Sequence, residues 1–367
     1  MKIQVLVVDD SPTACELVVH ILNSDPEIQV IGTAKNGVEA LEFLNFSKPQ
    51  VITMDLHMPQ MDGITATRKI MQTYPTPIII VSGSLEKDEV EQTFLAVEAG
   101  ALAAVQRPPG VEYSDYKEKA GELIHLVKLM SEVKMVKRWH FSNKINSGGK
   151  TDEIIAFDEM TSKPISLGRP APSPEQIQVV VIGASTGGPP VLRSVLEKLP
   201  ADFPLPILIV QHITYGFLEG FVEWLNQGSS LPVRIAKQGE KALPGTVYLA
   251  PDGYHTKICP DKRIALEKGA AENGHLPSVS SLFKSAAESF GSNVIGVILT
   301  GMGKDGAEEL KLMREKGGVT IAQDEETSAV YGMPGEAKKN GGALYVLPAP
   351  LISQALIDFT RKGTVSL

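Results

Sequence analysis

The chain has almost no cysteine: Cys15 and Cys259 are its only two, and they lie far apart, so no disulfide framework is expected. Basic excess is missing too. Lys and Arg number 35 against 43 Asp and Glu, a formal net charge of −8, and with no basic tract a nucleic-acid partner is not expected. No apolar run is of membrane length; the runs at 5–8, 77–81 and 207–210 are strand-sized. No charged-then-apolar signal opens the chain, because Met1-Lys2 leads straight into a strand pattern. The expectation is a soluble, cytoplasmic α/β protein without membrane insertion, and 367 residues suffice for two domains with ample core.

What is present begins with alternation. Residues 3–9 read as a strand ending in Asp9-Asp10, and Ser11-Pro12 supplies a cap and a first-turn proline for the helix that follows. Strand runs recur at 29–33, 50–54, 78–81 and 102–105, separated by helical periodicity at 38–46, 64–74 and 89–98, with a last helix over 116–136. Five βα units in succession predict a small parallel sheet covered on both faces.

Acidic residues collect where that sheet's carboxyl edge should lie. Asp9 and Asp10 end the first strand, Asp55 ends the third and Ser82 the fourth. An Asp-Asp pair alone is usually a cap or loop feature. Three carboxylates converging on one crevice, however, repel one another unless a hard cation lies between them, and oxygen donors favour Mg2+.

From Phe141 to Gln176 the periodicity fades into Ser, Gly, Lys and Pro, the chemistry of a linker. Trp139 reads as a packing anchor for the preceding helix, and 154–157 as a short apolar segment able to dock on a domain surface.

A second α/β pattern follows. Val179-Val180-Val181-Ile182 leads into Gly183-Ala184-Ser185-Thr186-Gly187-Gly188 and then a helical run: strand, tight turn, helix. A serine in such a turn meets the unpaired N–H groups of a helix start, where an oxyanion is stabilised. The literal G-x-S-x-G match is weak on its own; a helix-capping serine or a phosphate cradle reads equally well. Further strands at 207–210, 233–236, 247–250, 294–299, 319–322 and 344–347 predict another mostly parallel, doubly wound sheet. Ser185, His212 and Asp305 each follow a strand of that sheet, so all three belong at its carboxyl edge. A serine needs a base, and an imidazole needs a carboxylate to fix its tautomer. Singly, His212 reads as a structural histidine and Asp305 as a helix cap; jointly they favour a triad. The rival order, Ser…Asp…His, requires Asp252 with His255 in a turn or His275 in a loop, and ranks below.

The Asp9-Asp10, Asp55, Met58-Pro59, Asp62-Gly63 and Ser82 pattern resembles the receiver domain of two-component response regulators. The resemblance implies Asp55 as phosphoryl acceptor, Asp10 and Asp55 as direct Mg2+ ligands with the backbone carbonyl of His57, Asp9 as a ligand through water, and Ser82 and residue 107 as phosphoryl contacts. Two positions depart from it: Arg107-Pro108 replaces the usual Lys-Pro, and Ala104 stands where an aromatic is usual.

The second set of motifs, Ile182 to Gly188, Val210-Gln211-His212, Pro244 to Pro251, Val297 to Gly306 and Gly332-Met333-Pro334, resembles the chemotaxis protein-glutamate methylesterase family, in which a receiver precedes the esterase. That implies residues 1–138 as receiver, 139–176 as linker and 177–367 as a three-layer α/β/α methylesterase domain. It further implies hydrolysis of glutamate γ-methyl esters on chemoreceptors, with glutamine deamidation as a companion activity. Ser185 would be the nucleophile, His212 the base and Asp305 its orienting carboxylate, with backbone N–H groups of Thr186 and Met302 at the oxyanion. Ester hydrolysis would need no cofactor, and a chemotaxis histidine kinase would donate the phosphoryl group. In the family the receiver is thought to cover the esterase site until it is phosphorylated. Ile213-Thr214 in place of Met-Pro, and Ser280 in place of aspartate, are departures expected at the rim. The competing reading is a receptor- or kinase-binding phosphoryl acceptor with a vestigial esterase.

Overall fold

The computed structural model describes residues 2–84, 86–133 and 176–360. Trp139, the 154–157 segment and the end of the expected helix beyond 133 lie outside the described residues.

The first sheet is built from β1 (Ile3–Val8), β2 (Ile28–Ala34), β3 (Val51–Met54), β4 (Ile78–Ser82) and β5 (Ala103–Gln106), interleaved with α1 (Pro12–Asn23), α2 (Gly37–Leu44), α3 (Gly63–Thr73), α4 (Lys87–Glu98) and α5 (Tyr116–Ser131). Its order is β2-β1-β3-β4-β5, and all pairings are parallel. Central strands β3 and β4 are buried at every position, as runs covered on both faces must be. Polar caps fix the helix starts: Ser11, Asn36 and Asp62 side chains accept from the first-turn N–H groups of α1, α2 and α3.

The second sheet has seven strands, in the order β14-β13-β12-β6-β7-β9-β8. Its strands are β6 (Val179–Ala184), β7 (Ile207–Gln211), β8 (Val233–Ile235), β9 (Val247–Leu249), β12 (Val294–Ile298), β13 (Val319–Gln323) and β14 (Tyr345–Leu347). Helices α6 (Gly188–Glu197), α7 (Leu218–Gly228), α8 (Val279–Phe290), α9 (Ala307–Glu315), α10 (Met333–Lys339) and α11 (Ala349–Thr360) cover both faces. The layers follow from strand alternation. Val180 and Ile182 of β6 enter a core with Leu192 and Leu196 of α6, whereas Val179 and Val181 enter the opposite core with Leu282 and Phe283 of α8. A two-stranded ribbon departs from the sequence expectation. His255, expected in a turn, instead begins β10 (His255–Ile258), which pairs antiparallel with β11 (Ile264–Glu267) as a separate ribbon.

The two sheets' helices meet. Val90 and Phe94 of α4 are buried in the second domain's core, and Phe94 stacks on Phe221 and Trp224 of α7 at centroid distances of 5.2 and 5.5 Å. Arg193 of α6 lies over the Trp224 ring at 4.5 Å and pairs with Glu98 at 3.3 Å. Gly220 is required there: a Cβ would come within 2.2 Å of Val90. The aromatic contacts dominate this interface, because exposed ion pairs contribute little.

Candidate active site and phospho-acceptor pocket

β6 and β7 are parallel neighbours with Ala184 opposite Gln211, so the next residues, Ser185 and His212, emerge side by side at the carboxyl edge. The His212 N–H donates to Ala184 O at 2.9 Å. After Ser185 the chain turns at once: Gly187 has φ 73° and caps α6, whose first turn carries proline. Gln211, of the Val210-Gln211-His212 motif, ties the two strand ends together. Its buried amide donates to Ser185 O at 2.9 Å and to His212 O at 2.7 Å. Ser185 itself is 7% exposed.

Asp305 reaches the same edge from the loop between β12 and α9. Its carboxylate accepts from His212 Nε2 at 3.0 Å, Val279 N at 2.7 Å, Ser280 N at 3.2 Å and Asn273 Nδ2 at 3.1 Å. Burial alone would raise this carboxyl; the hydrogen bonds from His212, Ser280 and Asn273 outweigh it and hold the group well below the usual carboxylate range. With Nε2 committed to Asp305, His212 Nδ1 is the atom left for the serine, and it is buried with no hydrogen-bond partner among the described residues. Gly301 closes the site from below, since a Cβ there would lie 2.6 Å from Ser185 Cβ. Thr300, just before it, accepts from Ser185 N at 3.0 Å. Among the described residues the N–H groups of Thr186 and Met302 donate to no protein acceptor.

A further side chain joins this group. His275 stacks on His212 with ring centroids 3.7 Å apart and planes 7° from parallel. Burial, then the neighbouring His212, lowers it to about 4, so it is neutral at physiological pH. The rival pairing is not assembled. His255 bonds Ala270 O at 2.9 Å, and Asp252 accepts from Gly216 N at 3.1 Å. Ser280, expected at the rim, is buried beneath Asp305, its hydroxyl linking Asn273, Gly306 N and Glu309.

At the first sheet, the carboxylate oxygens of Asp9, Asp10 and Asp55 lie within 4.8 Å of one another. Three hard oxygen donors suit a divalent cation of the Mg2+ type. Arg107 already spans two of them, with Nη2 2.9 Å from Asp55 and 3.1 Å from Asp9. Burial raises Asp55 to about 6, further helped by Asp9 and Asp10 and only partly opposed by Arg107. Ser82 is fully buried at the end of β4, but its hydroxyl lies 2.7 Å from Ser84 O and 2.8 Å from Glu89 Oε1. To meet a phosphoryl group it must leave Glu89. His57 is exposed on the loop two residues past Asp55.

The family model described as CheB methylesterase matches residues 180–356, and that described as response regulator receiver domain matches residues 5–112. A protein-glutamate methylesterase/protein-glutamine glutaminase of Nitrosospira multiformis is 50% identical over 360 residues, covering 98% of each chain. Relatives carrying the same name in Syntrophus aciditrophicus and Geobacter metallireducens are each 48% identical, covering 97% of each chain in the first case, and 98% of this chain and 99% of that one in the second. Similarity of this depth across both domains shows that the chain belongs to the CheB protein-glutamate methylesterase/protein-glutamine glutaminase family.

Proposed function

We propose that this chain is a phosphorylation-regulated hydrolase of glutamate γ-methyl esters on chemoreceptors, also acting on glutamine amides, with Ser185, His212 and Asp305 as its triad. One observation carries the reading: a buried imidazole whose Nε2 bonds a buried carboxylate, whose Nδ1 has no hydrogen-bond partner among the described residues, and which follows the strand position paired with the one just before Ser185. Ser185 Oγ attacks the γ-carbonyl carbon while its proton passes to His212 Nδ1. The N–H groups of Thr186 and Met302 receive the developing oxyanion. Collapse breaks the C–OMe bond, and methanol leaves with the proton from His212. Water, deprotonated by the same imidazole, then attacks the acyl-serine and releases the glutamate carboxylate and Ser185. With glutamine the leaving group is ammonia.

Regulation is assigned to residues 1–138, with 139–176 as linker and 177–367 as catalytic domain. Asp55 takes a phosphoryl group from a chemotaxis histidine kinase, with Ser82 and Arg107 as its contacts. Asp10, Asp55 and the His57 carbonyl would hold Mg2+, with Asp9 acting through water. The ion would supply charge neutralisation for phosphoryl transfer. Coupling is supported by Ala329, which packs against the receiver's α5-side core and against the position a Cβ on Gly187 would take, 2.3 Å away. A cytoplasmic location fits these partners, and no helix among the described residues is long and apolar enough to cross a membrane. The test is methanol release from methylated receptor: Ser185→Ala should lose on the order of 10⁶ in turnover and resist fluorophosphonate labelling, whereas labelling undiminished in that variant refutes the assignment.

A further inference from the structure

The hairpin turn Glu272–His275 touches the triad twice. Glu272 and His275 exchange backbone hydrogen bonds of 3.0 and 2.9 Å, and the two residues between them, Asn273 and Gly274, have φ of 52° and 84°. Positive φ at both central positions is the primed hairpin turn that Asn-Gly favours. The turn places adjacent functional groups on opposite members of the His212–Asp305 pair. Asn273 Nδ2 donates to Asp305 Oδ1, the oxygen that His212 does not use, and also to Ser280 Oγ at 3.0 Å. The His275 ring covers one face of His212.

We propose that this turn is a positioning element for the catalytic base, Asn273 fixing the carboxylate and His275 fixing the imidazole plane. A single hydrogen bond from Nε2 leaves the His212 ring able to swing about that contact, which would carry Nδ1 off the serine. A parallel ring at 3.7 Å removes that freedom. Asn273 does the same for the carboxylate, since Oδ1 is held by two donors while Oδ2 faces the base. Sub-ångström control of a base by the groups behind it is worth one to two orders of magnitude in turnover. His275 acts as a neutral platform. A second imidazolium stacked on the protonated base would oppose the proton transfer, and burial keeps His275 uncharged well below neutrality. The charged and titratable groups around the pair are Asp305, His212 and His275 themselves, His125 of α5 acting on His275 from the receiver, Glu309 of α9 on the Ser280 hydroxyl, and Glu272 of the turn on the Ser278 hydroxyl.

The inference rests on the triad reading, and the two fail differently. The full chain, treated with acetyl phosphate and Mg2+, is assayed for methanol release from methylated receptor across pH. Asn273→Gly preserves the backbone, because glycine adopts φ near 52° freely; it should lower kcat about tenfold at unchanged KM. Asn273→Asp puts a negative charge beside Asp305, favours the imidazolium, and should move the acid limb of kcat/KM up by about one pH unit. His275→Ala should lower kcat about tenfold, and His275→Phe, which keeps a ring to stack on, should restore most of it. Wild-type kcat in Asn273→Gly and His275→Ala with an unmoved acid limb in Asn273→Asp overturns the proposal, as does a Phe variant no better than Ala while thermal unfolding shows both folded. Full activity in a parallel Ser185→Ala chain overturns the triad itself, whatever the turn variants do.

Discussion

Asp305 and Asp55 are both buried carboxylates at the carboxyl edge of a parallel sheet, and their surroundings drive them in opposite directions. Asp305 is ringed by donors, two of them backbone N–H groups and one a neutral amide; its charge is stabilised before any substrate arrives. Asp55 shares one guanidinium with Asp9, has Asp10 nearby, and is raised to about 6. Asp305 is thus a finished electrostatic device, while Asp55 is left under-compensated. That suits the tasks proposed for them: one would orient a base in every turnover, the other would react with an electrophile and register the outcome.

The contrast can be broken most severely at Asp305. Asp305→Asn keeps the shape but offers His212 an amide, which selects the wrong tautomer; turnover should fall on the order of 10⁴ with ester binding retained. Kinetics within tenfold of wild type would transfer the orienting role to another carboxylate, with Asp252→Asn as the control.

Asp55 should give the opposite sign in stability. Its folded pKa of about 6 lies above the ordinary 3.8, so the ionised carboxylate weakens the metal-free fold as pH rises through that window. Asp55→Asn should therefore stabilise the receiver in chelator above pH 6, by at most about 3 kcal/mol at roughly 1.4 kcal/mol per unit, and the gain should vanish near pH 4. Asp305, held low, contributes stability that is present above the ordinary carboxylate range and lost only as pH falls below it. Denaturant midpoints across pH test both signs; a destabilised Asp55→Asn at pH 8 would show that Arg107 compensates Asp55 fully.

Arg107 supplies a smaller effect. Its guanidinium holds two of the oxygens a cation would use, so metal and side chain compete. Arg107→Ala should bind Mn2+ or Mg2+ about tenfold more tightly by calorimetry, with unchanged affinity refuting the competition. Arg107→Lys, a compact point charge in place of a planar fork, should widen the activation that phosphorylation produces.

How much of this was legible in sequence depends on how local the signal is. Ser185 and His212 were readable because each follows a strand by one residue, and parallel register then sets them side by side. Asp305 was readable as the acid in the loop after β12. The places that Gln211, Asn273 and His275 take around them were not, although Asn273-Gly274 is a plain hairpin signal: the turn type is written locally, but where the hairpin lands depends on the β10–β11 ribbon before it and the start of α8 after it. Ser82 shows the same limit. Its place at the end of β4 was visible, while its engagement by Glu89 of α4 was not. The apolar face of α4 likewise announced burial without saying that Val90 and Phe94 complete the other domain's core.

The gentlest expected effect lies where two departures from the family pattern meet. Thr214 Oγ1 donates to the Ala104 carbonyl at 2.7 Å, joining the loop two residues past His212 to β5, three residues before Arg107. β5 is an edge strand, so its outward carbonyls lack a sheet partner, and the threonine satisfies one of them. Proline at 214 would have no hydroxyl to offer, and an aromatic at 104 would bring bulk to this same junction. Thr214→Val keeps the branched shape and removes the donor, at a cost of about 1 kcal/mol to the closed arrangement. If the receiver restrains the esterase through this contact, unphosphorylated Thr214→Val chain should release methanol about fivefold faster than wild type, while the fully phosphorylated rates coincide. Equal unphosphorylated rates would show that the restraint resides in the other contacts between the domains, the Phe94–Trp224 stack first among them, and Phe94→Ala would then give the larger release.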